Sequence, residues 1–161
     1  MTHAIRPAGP GDIPALARIW HDGWHQAHAA HVPATLTRLR TAPDFARRLA
    51  AFGDDLRVCG PPGLPLGLCA VKGDTLDQLY VAPAARGTGL AAALVAEAEA
   101  RLAARGVAIA QLDCVPENHV AARFYGRQGW QQGDRRRCML ETSRGPFPLE
   151  VLRFIKYVAP A

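Results

Sequence analysis

Residues Leu79–Ala93 read LYVAPAARGTGLAAA. A strand-like run meets Pro83, then Arg86, then Gly87 and Gly89, and an alanine-rich helical pattern follows. Glycines lack Cβ, so a ligand can approach their main chain closely. The first turn of a helix leaves its amides without internal acceptors, and those amides together with the helix dipole favour an anion. Arg86 adds a full positive charge, and Asp and Glu are absent from Val81 to Ala96. The stretch reads as strand, phosphate- or pyrophosphate-binding turn and helix.

The flanking segments set the fold around that turn. Upstream, Leu56–Cys59, Leu66–Val71 and Thr75–Val81 read as strands separated by GPPGLPLG and by Gly73–Asp74. Downstream, Gly87–Arg105 reads as a helix with Leu90, Leu94, Val95, Ala98 and Leu102 on one face, ended by Gly106. Ala108–Val115 is a buried strand, His119–Gln128 a short helix capped by Gly129, and Arg136–Glu141 and Leu149–Val158 are closing strands. At the other end, His3–Pro7 is a first strand, and Asp12 is placed as the N-cap of a helix whose apolar face includes Ile13, Leu16, Trp20 and Trp24. Asp44–Phe52 forms a second helix. The order β α α β β β α β α β β predicts an α/β chain, residues 1–161 forming one domain. It has a mixed central sheet, one βαβ crossover, a closing hairpin and helices on both faces.

Bulk properties agree with a globular enzyme or binding domain. Of the 161 residues, 49% are hydrophobic and 20% charged, enough apolar mass for a core. The net charge of +5 suits a phosphorylated ligand without demanding nucleic acid. No aromatic row or arginine-rich helix accompanies it, so nucleic acid is not an expected partner. Cys59, Cys69, Cys114 and Cys138 stand singly in apolar runs, with neither CxxC pairing nor zinc spacing, and read as reduced thiols of a cytoplasmic protein. No secretory leader pattern and no membrane-length apolar run is visible. His21, His25 and His28 share a helical face, but no HExxH motif or carboxylate partner accompanies them, and no metal is assigned.

Two anion-binding folds compete for the glycine turn. Gly87-x-Gly89-x-x-Ala92 fits a dinucleotide fingerprint, with Asp113 ending the next strand as the ribose acid. In that fold the first glycine follows its strand almost directly, whereas here Ala82–Arg86 intervene and a single βαβ unit exists. The second fold is reached by resemblance. The run Ala84-Ala85-Arg86-Gly87-Thr88-Gly89 resembles the Q/R-x-x-G-x-G/A phosphate motif of the GNAT superfamily of acyl-CoA-dependent N-acetyltransferases, with Ala84 in place of Gln or Arg. LDCVPENHVAARFYGRQGW (Leu112–Trp130) resembles the family's second block, with Leu112, Asn118, Ala121, Tyr125, Gly129 and Trp130 in place and Cys114 replacing an aliphatic residue.

That resemblance implies a GNAT fold in which the fourth and fifth strands splay at their C-terminal ends, where Pro83 and Pro116 cannot donate ladder hydrogen bonds. It implies acetyl-CoA as cofactor, with pantetheine paired to backbone at Leu79 and Val81 and touching Asn118. Its pyrophosphate would rest on amides from Arg86, Gly87, Thr88, Gly89, Leu90 and Ala91. It implies Tyr125 as the acid at the leaving thiolate. Asp77 is the candidate base, on one face with Leu79 and Val81 by strand parity, and Glu117 is its rival. The first helix walls the acceptor pocket in this family, which makes Trp24, His25 and His28 candidate contacts to an amine, while Trp20 belongs to the core. The expected reaction is acetyl transfer to a small-molecule or peptide amine. The alternatives are a non-catalytic acyl-CoA-binding module of the same fold or a dinucleotide-binding protein. The closing hairpin leaves a homodimer open.

Overall fold

The computed structural model describes residues 3–159. Seven strands form one sheet: β1 (Ile5–Pro7), β2 (Leu56–Cys59), β3 (Gly67–Lys72), β4 (Thr75–Val81), β5 (Ile109–Cys114), β6 (Gln131–Leu140) and β7 (Phe147–Tyr157). Their order across the sheet is β1-β2-β3-β4-β5-β7-β6, and every neighbouring pair is antiparallel except β4 with β5. Five α-helices cover the faces: α1 (Ile13–His28), α2 (Ala34–Leu39), α3 (Ala42–Phe52), α4 (Leu90–Ala104) and α5 (His119–Arg127). The mixed sheet with one parallel pair is the expected architecture. The addition is α2, a six-residue helix between Pro33 and Pro43. Two threonines and barely more than one turn give it too little period to be read from sequence.

Strand alternation divides the core into two layers. Leu56, Val58, Leu68 and Ala70 face α1–α3, where they meet Leu16, Trp20, Phe45 and Leu49. Cys69 and Val71 face the other way, against Leu90, Leu94, Ala98 and Leu102 of α4. Trp20 is fully buried, its ring 4.8 Å from that of Phe45, as its core assignment requires. The Thr41 hydroxyl caps α3 by accepting from the Asp44 amide.

Asp12 does not cap α1. It ends a 3-10 turn (Pro10–Asp12), is buried, and accepts from Nη1 and Nη2 of Arg6 at 2.8 and 2.9 Å and from the amides of Gly9 and Gly63 at 2.8 and 2.9 Å. The Arg6 hydrogen bonds, joined by those amides, hold its carboxyl far below the ordinary carboxylate range. A partner available only in the folded chain redirected the side chain, so it ties β1 to the β2–β3 loop instead of starting a helix.

Gly23 lies inside α1, where glycine costs about 1 kcal/mol relative to alanine. A Cβ placed there would sit 2.7 Å from Cδ1 of Tyr80 on β4, so the bare backbone lets α1 close on the strand that carries the candidate site. Gly23→Ala should therefore destabilise the fold by about 1–3 kcal/mol, against the helix-propensity gain, because the ring must move in a packed layer. Chemical denaturation checks this, and an alanine variant more stable than wild type would contradict the packing.

Candidate active site

Strands β4 and β5 are paired only at their start. Thr75 is in register with Gln111, whose amide donates to Asp74 O at 3.1 Å, and among the described residues no further pair continues toward Val81 and Cys114. On its other edge β4 stays bonded to β3 through Tyr80↔Leu68, and the Ala82 amide donates to Leu66 O. By alternation, the backbone groups of Leu79 and Val81 point away from β3, into the gap between the parted strands. An extended ligand can enter there as an added strand.

Past the gap lies the glycine turn. Pro83–Ala85 make a 3-10 turn that the Arg86 amide closes on Pro83 O, so Arg86 has no free amide to offer a ligand. The amides of Gly87, Thr88, Gly89, Leu90, Ala91 and Ala92 donate to no acceptor among the described residues. Gly87 and Gly89 hold φ of +77° and +83°, a region that side chains with a Cβ rarely enter, and a Cβ at Gly87 would meet nothing within 4 Å. The result is a run of amides without protein acceptors at the N-terminus of α4. Thr88 Oγ1 donates to Ala85 O, and His3 Nε2 lies 3.0 Å from Thr88 O on the rim. The Arg86 guanidinium reaches Gln26 of α1 at 3.2 Å.

The inner end of the gap opens into a cavity of about 230 Å³. Leu79, Cys114, Asn118 and Tyr125 line it on the α5 side, with Asp77, Trp24 and His28 on the α1 side. Val81 lies outside it, on an adjoining groove with Ile19, Leu64, Leu66 and Arg86. Asn118 accepts from the Ala121 amide at 3.2 Å, so it caps α5 as its position predicts while its side-chain amide faces His28 Nε2 at 3.5 Å. Tyr125 is packed by Phe124, Trp130 and Phe154, and its hydroxyl has no protein partner among the described residues. Burial raises its pKa well above the ordinary tyrosine value, which keeps it protonated as a donor.

Asp77 sits at a β-bulge. Val71 pairs with Leu76 and Ala70 with Gln78, leaving Asp77 unpaired between them. Strict alternation therefore breaks at this residue, and parity does not place it with Leu79 and Val81. The bulge directs the carboxyl by local geometry. Burial raises its pKa, opposed by the charge of Arg48 and a 3.5 Å hydrogen bond from the Gln78 amide.

His28 lies in the cavity wall with its Nδ1 buried and unpartnered, and burial lowers its pKa to about 4, so the ring is neutral at pH 7. His25 is turned elsewhere. Its Nε2 lies 2.7 Å from Arg40 O, linking α1 to the α2–α3 junction, and it does not line the cavity. Glu117 is exposed and outside the lining. Cys114 lies in the wall as a thiol whose pKa burial pushes up to about 12. Among the described residues no cluster of His, Cys, Asp or Glu could hold a metal ion, and no helix is long and apolar enough to cross a membrane. Sequence reading missed Val32, Leu36, Leu140, Leu149 and Val151, which also line the cavity. Each is an ordinary apolar residue whose role depends on α2 and the β6–β7 hairpin closing over the gap.

The geometry agrees with comparisons to known proteins. The model of the Acetyltransferase (GNAT) family matches residues 62–130. The GCN5-related N-acetyltransferase (aminotransferase, class-II) from Rhodopseudomonas palustris superposes with a TM-score of 0.74 at 25% identity, covering 98% of this chain and 96% of that one. PaiA N-acetyltransferase from Thermoplasma acidophilum, solved in complex with coenzyme A, gives 0.68 at 16% identity over 98% and 99% of the two chains. YncA from Salmonella typhimurium, solved with its cofactor acetyl-CoA, gives 0.66 at 16% identity over 100% and 96%. No curated protein sequence matches the chain.

Proposed function

We propose that the chain is an acyltransferase of the GNAT family, whose model matches residues 62–130, and that it moves an acetyl group from acetyl-CoA to a primary amine. The observation that carries this reading is the junction of an unpaired strand gap with a run of unpartnered amides, Gly87 to Ala92, at its outer end. These groups fit the cofactor: the amides and the α4 dipole suit a diphosphate, and the free backbone edge at Leu79 and Val81 suits a pantetheine amide. Bound acetyl-CoA supplies an activated thioester.

This chain's residues then manage protons and position. Asp77 draws the cationic amine into the cavity and takes its proton. Its burial narrows the distance between a carboxyl's ordinary proton affinity and that of an amine, whose pKa is about 10.4. The Tyr125 hydroxyl, unpartnered and held protonated, gives a proton to the departing sulfur. Asn118 holds the start of α5, and so Tyr125, against the gap. Trp24 and His28 orient the amine, while His25 and the Arg86 amide take other duties in the fold.

Titration of the purified protein with acetyl-CoA, followed by thiol release in the presence of amines, tests the reading. Tyr125→Phe keeps the ring packing and removes the donor. It should lower kcat about 10- to 100-fold, with acetyl-CoA affinity within about 3-fold of wild type. Equal turnover would remove Tyr125 from the acid role.

A further inference from the structure

We propose that the acceptor is a compact, apolar, monocationic amine without a carboxylate, of the size of an aralkyl or branched alkyl amine. The assignment rests on the acyl-transfer reading above and adds the chemistry of the second substrate.

The charges around the cavity carry it. Among the described residues, the only carboxylates in the wall are Asp77 and Asp113, and no lysine or arginine lines it. The Asp113 charge is answered by Arg153, whose Nε and Nη2 donate to the two carboxylate oxygens at 2.9 and 3.3 Å. Asp77 has no salt-bridge partner and only the Gln78 amide at hydrogen-bond distance among the described residues. Nearby cations are committed elsewhere. The Arg48 guanidinium lies 4.4 Å over the Trp20 ring, with Nε 3.7 Å from Glu141. Arg40 is buried against Asp44 and Glu141 O. His28 is neutral at pH 7, so it supplies no counter-charge to an anion. An ammonium therefore finds one carboxylate without a contact ion pair, its charge offset only at a distance by Arg48 and Lys72, and a substrate carboxylate finds no cation on the wall once desolvated.

The acceptor end of the wall carries the apolar side chains Trp24, Val32, Leu36, Leu140, Leu149 and Val151, with Thr75, Gln78 and Tyr80 as neutral polar groups beside Asp77. A cavity of about 230 Å³ is below the usual range for drug-sized ligands, roughly 300–1,000 Å³. Part of it lies beside Leu79, Cys114 and Tyr125, where the thioester end would sit. The roof is also tied down. Arg40 Nη2 donates to Glu141 O at 2.8 Å, and Arg47 reaches the Glu141 carboxylate at 2.9 and 3.3 Å. These bonds hold the α2–α3 segment to the end of β6, so a polypeptide acceptor would have to break them to leave room for its chain.

The test uses the full chain and saturating acetyl-CoA, with thiol release as readout. The acceptors are phenethylamine, 3-methylbutylamine, phenylalanine, leucine, phenylalaninamide, spermidine and a peptide with N-terminal phenylalanine. Phenethylamine should exceed phenylalanine in kcat/KM by at least about 100-fold, with phenylalaninamide restored to within about 10-fold of the amine, because only the carboxylate separates the pair. Leu140→Arg, which puts a cation on the wall, should raise the phenylalanine-to-phenethylamine ratio by about 10-fold or more. Preference for either amino acid, for spermidine or for the peptide would overturn the proposal, as would an unchanged ratio in Leu140→Arg. Turnover of none of the seven, with acetyl-CoA still bound in calorimetry, would overturn the acceptor assignment and leave the cofactor site standing. Absence of acetyl-CoA binding would overturn the acyl-transfer reading itself.

Discussion

Replacing Gly89 with glutamate should abolish useful acetyl-CoA affinity, raising Kd at least about 100-fold. Two effects add. Gly89 has φ +83°, and a side chain in that left-handed region costs about 1–2 kcal/mol unless the turn rearranges. The added carboxylate also stands among the amides of Gly87 to Ala92, where it either occupies the anion site itself or repels a diphosphate at close range. Gly89→Ala separates the two effects, since it adds strain without charge and should cost only about 10-fold. The nearest atom to a Cβ at Gly89 is His3 Nε2 at 3.8 Å, so no packing clash complicates the comparison. Calorimetric titration with acetyl-CoA measures both, and wild-type affinity in the glutamate variant would contradict the cradle.

Asp77→Asn should lower kcat/KM for the amine by about 100-fold or more while leaving acetyl-CoA affinity within about 3-fold. The active form of Asp77 is the carboxylate, so the wild-type rate falls as pH drops through its pKa. Burial raises that pKa above the ordinary carboxylate value, so this acid limb lies above the range of an exposed aspartate and vanishes in the asparagine variant. Stability moves oppositely. A carboxyl whose folded pKa is raised favours the fold when protonated, and that contribution is lost as pH rises from its unfolded pKa through its folded pKa. At neutral pH the asparagine variant should therefore melt no lower than wild type. A variant that loses stability together with activity, or keeps the acid limb, would assign Asp77 a structural role.

What could be read from the sequence was what the local chain alone determines. Gly87 and Gly89 announce a positive-φ turn because few other residues sit there at low cost, and Asn118 announces a helix cap because its side chain finds Ala121 within its own turn. The succession of elements along the chain followed from turn residues and hydrophobic period, and the sheet places β7 between β5 and β6. The readings that changed depended on distant partners. Asp12 left the helix start for Arg6 and the Gly63 amide, and His25 left the cavity for Arg40 O. The bulge at Asp77 arises from pairing with Ala70 and Val71, so no pattern within Thr75–Val81 reveals it. β6 begins at Gln131, before the expected Arg136, because pairing with β7 carries a run of polar residues whose own pattern is not strand-like. The acceptor wall was hidden for a similar reason: Leu36, Leu140 and Leu149 look like core until α2 and the closing hairpin meet.

Backbone amide resonances followed during titration with coenzyme A test the central claim most directly. The account predicts that Gly87, Thr88, Gly89, Leu90, Ala91 and Ala92 shift together and saturably, with Leu79 and Val81 following as the gap fills. Saturable shifts confined to other surfaces, such as the exposed Arg135–Arg137 segment, with residues 87–92 unmoved, would contradict it.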